Sequence, residues 1–234
     1  MSADGADGAP AGGSPGAASL AELSAGLAAG ASAELEPLLR RAAETAGPAA
    51  VEEAILQSHL FLGFPAALEG LRAWRRLRGD GERTAGIGAG DAGGPETVEG
   101  EDPAGWGARG EEVCRRVYGS AYEGLRRNVR RLHPDLDAWM IRDGYGKVLG
   151  REGLDLATRE LCIVATLAAD GSPRGPLHSH LRGALRVGAE PEAVEEALEL
   201  GLERRPDGRG KQDARELWRG VRDRRRSRGS ESSE

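Results

Sequence analysis

Apolar positions recur at intervals of three and four along most of this chain, and strand-like alternation is nowhere sustained. Leu35, Leu38, Leu39, Ala42 and Ala43 form one stripe within a helical region running from about Ala18 to Leu77. A second helix is predicted from Pro48 through Val51, Ile55 and Leu56 to Leu62. "GFP" (Gly63 to Pro65) breaks it, and Pro65 suits the first turn of a further helix carrying Leu68, Leu71, Trp74 and Leu77. Val113, Val117, Ala121, Tyr122, Leu125, Val129 and Leu132 give the clearest periodicity, one helix ended by His133-Pro134. Leu136, Trp139 and Met140 open another, closed near Gly144.

"LCIVATLAA" (Leu161 to Ala169) is apolar all round, which predicts a central buried helix, with Asp155 as N-cap and Gly171 as stop. A helix over Pro176–Val187, closed by Gly188, and one after Pro191 through Val194, Ala197 and Leu198 complete an all-α reading.

Composition sharpens this. Aromatic residues are 4% of the 234, so the core is built from Ala, Leu and Val, which suits close-packed helices. The 36 glycines cluster outside the periodic segments. Residues 1–17 read as a disordered tail and 79–108 as a flexible Gly/Asp/Glu linker; its "GAGDAG" (Gly88 to Gly93) lacks the strand and helix of a nucleotide loop. Residues 18–78 and 109–204 are then two packed helical halves, followed by a basic tail over 205–234. No signal peptide or membrane span is readable, and Cys114 and Cys162 suggest no disulfide framework, so a cytoplasmic protein is expected. The net charge of -6 gives no global reason to expect nucleic acid.

A weak internal repeat is visible. "AELSAGLAAG" (Ala21 to Gly30) can be laid on "RELCIVATLAADG" (Arg159 to Gly171), and "RRAAETAGPAAVEEA" on "LRGALRVGAEPEAVEEA", both ending in "AVEEA". Leu39 then stands where His180 stands.

Candidate chemistry centres on "GPLHSHLRGALRVG" (Gly175 to Gly188). On a helix, His178 and His180 lie on opposite shoulders of the stripe of Leu177, Leu181, Ala184 and Leu185, about 160° apart. They cannot readily chelate one metal, and no ligand cluster is nearby, so no metal is expected. Spacing alone favours a half-exposed helix residue satisfied by water; the other reading is a shoulder histidine that reaches a pocket between helices and moves protons. Glu160, at the mouth of the buried helix, must be paired, near solvent in a cleft, or carry a raised pKa.

The segment "GLDLATRELCIVATLAADGSPRGPLHSHLRGALRVGAEPEAVEEAL", extended back through "DGYGKVLGREGLD" to the helix near Glu111, resembles the carboxymuconolactone decarboxylase family, which includes the alkyl hydroperoxidase D proteins. The likeness covers about residues 109–202. "VEEAILQSHLFLGFPAALEGL" (Val51 to Leu71) looks like the hairpin that ends the family domain, so the domain is permuted, or duplicated with a loss in each copy.

The resemblance implies a helical bundle of the alkyl hydroperoxidase D-like type, a homo-oligomer, a small-molecule substrate and no cofactor. With His180 on the family histidine, the family's Cys-x-x-Cys falls on Pro173 and Pro176, so dithiol peroxidase chemistry is in doubt. Glu160 and His180 survive as the catalytic pair, closer to the decarboxylase branch. There, loss of CO2 from an unsaturated lactone acid leaves a dienolate. Arg159 or Arg182 would hold the substrate carboxylate, His180 would deliver the proton and Glu160 would orient it, with His178 and His59 as further pocket candidates. The alternatives are a peroxiredoxin-like antioxidant protein and a non-catalytic scaffold of the same fold. The Arg-rich stretch Arg204–Arg228, with its stripe of Ala214, Leu217, Trp218 and Val221, reads as a solvated amphipathic tail, with contact to RNA or an acidic protein the lesser expectation.

Overall fold

The computed structural model describes residues 13–30, 34–79 and 103–231, and among these every regular element is helical. Two helices buried on nearly all sides form the centre. The first, α1 (Pro15–Ala28), is capped by Ser14, whose hydroxyl accepts from the Ala17 N–H at 3.2 Å. The second is the apolar run itself, α7 (Leu156–Asp170). Asp155 caps it, accepting from the Thr158 N–H at 3.0 Å and from the Thr158 hydroxyl at 2.6 Å. Gly171 ends it in the left-handed region at φ 77°, as expected for a glycine stop.

Around this pair, α2 (Leu35–Ala46) and α3 (Pro48–Leu77) flank α1, while α8 (Arg174–Arg186) flanks α7. The helix α9 (Pro191–Arg204) lies against both central helices. Gly201 permits that approach, because a Cβ there would run into the Ala165 carbonyl. One succession occurs twice: a wholly buried helix, an amphipathic helix, a positive-φ glycine (Gly47, 86°; Gly188, 104°) and a helix begun by proline. Each of those last helices buries the Ala, Val and Ala of its "AVEEA": Ala50, Val51 and Ala54, then Ala193, Val194 and Ala197.

Gly63 breaks α3 as the sequence predicts; it adopts φ 77°, ψ 169°, a region open essentially to glycine alone. Elsewhere the structure corrects the periodicity. The single helix expected over Val113–Leu132 is two, α4 (Pro103–Tyr118) and α5 (Tyr122–Leu132), joined by a 3-10 turn. Gly119 takes φ 53° there, with the Arg186 side chain against it. The next helix, α6 (Pro134–Trp139), does not close near Gly144 but runs on in wide π turns to Leu149. Gly110 and Gly146 let this segment and α4 meet backbone to backbone. Leu132, Leu136 and Trp139 stay exposed, at 79%, 49% and 54%.

The C-terminal stretch is not a solvated tail. It forms α10 (Gly208–Glu231), and its stripe buries Ala214, Trp218 and Val221 in the main core against α8 and α9. The expected disordered tail and linker fall mostly outside the described residues, as does "GAGDAG"; within them, α1 begins at Pro15 and α4 already at Pro103. Among the described residues no helix is long and apolar enough to cross a membrane.

Candidate active site

Glu160 sits in the second turn of α7, and its side chain is wholly buried. Helix α8 passes over it at Gly183, where a Cβ would stand 2.8 Å from Glu160 Oε2 and 2.7 Å from Val117. That close approach brings His180, one turn earlier on α8, into reach: its Nδ1 lies 2.9 Å from Glu160 Oε2. His180 is 6% exposed. With the carboxylate ionised, Nδ1–H donates, the ring is fixed in one orientation, and Nε2 is left for proton transfer. Nε2 makes no hydrogen bond among the described residues, and Glu160 Oε1 is buried without a partner. A buried acceptor in that condition suits a ligand or an ordered water.

The neighbours of the pair come from elements that periodicity did not connect to it. Phe61 of α3 meets the His180 ring edge-on at 5.8 Å between centroids. Tyr118, at the end of α4, lies close enough for the Glu160 carboxylate to act on it, and accepts a hydrogen bond of 3.3 Å from the Tyr145 hydroxyl. Burial, more than that carboxylate, pushes the Tyr118 phenol up to about 12 and the Tyr145 phenol well above its ordinary value. The one signal in the sequence was Gly183. A glycine inside a helical pattern costs about 1 kcal/mol against alanine, and its presence marks a close approach.

The other candidates are dispersed. Arg159 is corrected from a substrate ligand to an internal clamp, since its side chain is 0% exposed. Its Nη2 donates to Glu53 Oε2 at 2.9 Å and to the carbonyls of Arg151 and Glu152 at 3.0 and 3.1 Å. Its Nη1 donates to Gln57 Oε1 at 3.3 Å, and Gln57 in turn donates to the Arg159 carbonyl. Arg151 shares the same Glu53 carboxylate. Burial lowers the Arg159 pKa, and Glu53 opposes that shift.

Arg182 and His178 face α10, on the other side of α8 from His180. His178 Nε2 lies 3.3 Å from Arg224 Nη2. His59 of α3 turns to its own helix, with Nδ1 2.6 Å from the Leu56 carbonyl and its ring stacked on Phe64; Phe61 is the α3 residue that reaches His180. The two cysteines are free and buried, and desolvation raises Cys114 to about 12 and Cys162 to about 11. Neither is a thiolate near neutral pH. Among the described residues no three His, Cys, Asp or Glu side chains gather to hold a metal ion.

Known proteins match the stretch of the chain that contains the pair. The sequence profile described as "Carboxymuconolactone decarboxylase family" matches residues 134–203, which include Glu160 and His180. An uncharacterised 15.0 kDa protein from the nqo9-nqo10 intergenic region of Paracoccus denitrificans is 30% identical over 90 residues, 38% of this chain and 67% of that protein. The chain therefore belongs to the carboxymuconolactone decarboxylase family.

Proposed function

We propose that the protein is an acid–base enzyme of the decarboxylase-like kind, acting on a small cyclic or carboxylate substrate without a cofactor. The observation that carries the reading is the buried Glu160–His180 hydrogen bond of 2.9 Å, with the second carboxylate oxygen and the second imidazole nitrogen left unpaired. In this reading His180 Nε2 delivers the proton to the carbanion or dienolate left by bond cleavage. Glu160 orients the ring and stabilises its cationic form. Phe61 and the tyrosine pair keep water from the reacting centre. The proposal includes self-association, for which exposed Leu136 and Trp139 offer apolar surface.

The hydroperoxidase-type alternative lacks a usable thiol, because Pro173 and Pro176 stand at the dithiol positions and both cysteines are held protonated by burial. A scaffold without catalysis is the second reading, favoured by the low exposure of His180 beneath Phe61.

A screen of small unsaturated carboxylates with wild type and His180→Ala separates the two readings. Under the enzyme reading, His180→Ala loses about 10²–10⁴ of the turnover that the screen finds. Turnover of none of them, or turnover that His180→Ala leaves unchanged, leaves the scaffold.

A further inference from the structure

Between α8 and α10 lies an open cavity of about 300 Å³, lined by Arg182, Leu185 and Arg186 on one wall and by Val221, Arg224 and Arg225 on the other. Four arginines line this space, and among the described residues no carboxylate does. Two arginines beside it are neutralised: Arg215 forks onto Glu199 at 2.6 Å, and Arg222 reaches Glu195 at 3.4 Å. Arg182, Arg224 and Arg225 make no ion pair with a carboxylate among the described residues. The nearest acid in sequence, Asp223, turns to Arg222 Nε at 3.7 Å. This local excess of positive charge stands in a chain whose net charge is -6.

His178 lies beside the same arginines. Its pKa is lowered first by burial and then by Arg182, Arg224 and Arg174. A neutral imidazole can accept from Arg224 Nη2, which fits the 3.3 Å contact.

We propose that this groove binds a small organic phosphate, a phosphate or diphosphate monoester whose apolar portion lies on Leu185 and Val221. Guanidinium forks on two facing walls match the oxygens of a phosphoryl group bidentately, and several uncompensated charges call for a dianion or more rather than a single carboxylate. The volume is at the lower end of the ~300–1,000 Å³ typical of ligand clefts, which suits a compact molecule. A nucleic-acid strand would want a basic track beyond the groove. Instead Glu216 is exposed on the same helix, and Glu195 and Glu199 are drawn into pairs beside it. The inference does not rest on chemistry at Glu160 and His180, which lie across α8.

The test is calorimetric titration of the full chain with inorganic pyrophosphate and with a short alkenyl diphosphate, at about 150 mM salt, where exposed charges are screened beyond ~8 Å. We expect saturable one-site binding, tighter for the alkenyl diphosphate. Arg182→Ala and Arg225→Ala should each weaken it at least about tenfold, which corresponds to about 1.4 kcal/mol. Arg182→Lys should recover only part of the loss, because an ammonium cannot form the fork. Glu160→Gln should bind like wild type, and the His178 ring resonances should shift on binding. Absence of saturable binding to either probe overturns the proposal. So does binding indifferent to both alanine variants, or an oligoribonucleotide that binds over α10 and resists displacement by pyrophosphate. Circular dichroism of the variants guards against loss of fold, since Arg225 is exposed and Arg182 half-buried.

Discussion

Arg159 carries more of the architecture than its place beside Glu160 suggests. Its guanidinium is enclosed by Glu53, Gln57 and two carbonyls, so removing it leaves Glu53 with one arginine partner and the carbonyls without their donor. Breaking a buried ion pair from one side costs about 3–5 kcal/mol, and Arg159→Ala should lose an amount of that order in urea denaturation. His178 gives a pH signature at the same scale. Its folded pKa lies below the ordinary 6.5, so the unfolded chain takes up the proton first as pH falls. Stability is fullest above 6.5 and declines as pH drops from there to the lowered folded value. Denaturation midpoints at pH 7.5 and 5.5 should differ less in His178→Gln than in wild type. Asp137, held low by Arg126 and Arg130, acts in a separate window: its contribution is present above its ordinary 3.8 and is lost as pH falls through its lower folded value.

At the scale of the helix, α10 shows how far a stripe can be read. The spacing of Ala214, Trp218 and Val221 declares one apolar face, yet nothing local says whether another helix covers it. The structure buries Trp218 to 2% exposure. Trp218→Ala should therefore cost about 3–5 kcal/mol, read as a lowered urea midpoint, where a solvated tail would give almost nothing. The helix breaks divide in the same way. Gly63 was legible because a proline follows at Pro65, and Asp155 and Gly171 announced the ends of α7 through their own chemistry. Gly119 was not legible, because the apolar period runs through it unbroken from Val113 to Tyr122. The break serves the distant Arg186, whose Nη1 donates to the Val117 carbonyl at 2.8 Å. The π turns after Trp139 answer to Gly146 and the Trp106 carbonyl, which are forty residues apart in sequence.

For the whole molecule, the same limit explains which parts of the site could be foreseen. Glu160 and His180 lie on the consecutive helices α7 and α8, inside the one segment that carries the resemblance, so their pairing was within reach of the resemblance. Phe61, Tyr118 and the partners of Arg159 were not, because a single sequence does not say which helix faces which. Glu53 is 106 residues from Arg159, and the two belong to opposite sides of the 80–102 stretch.

That placement bears on what the polypeptide needs in order to hold together. The Glu53–Arg159–Arg151 clamp, the burial of α1 against α7 and the contact of Phe61 with His180 all join the two halves without using residues 80–102. These contacts predict that the folded assembly survives a break in the chain there. The gene cut at codon 90 and expressed as two polypeptides should yield a stoichiometric complex that co-purifies through a tag on either piece. Glu53→Ala, which removes the clamp but no bulk from the core, should make the two pieces part at lower urea than the unsubstituted pair.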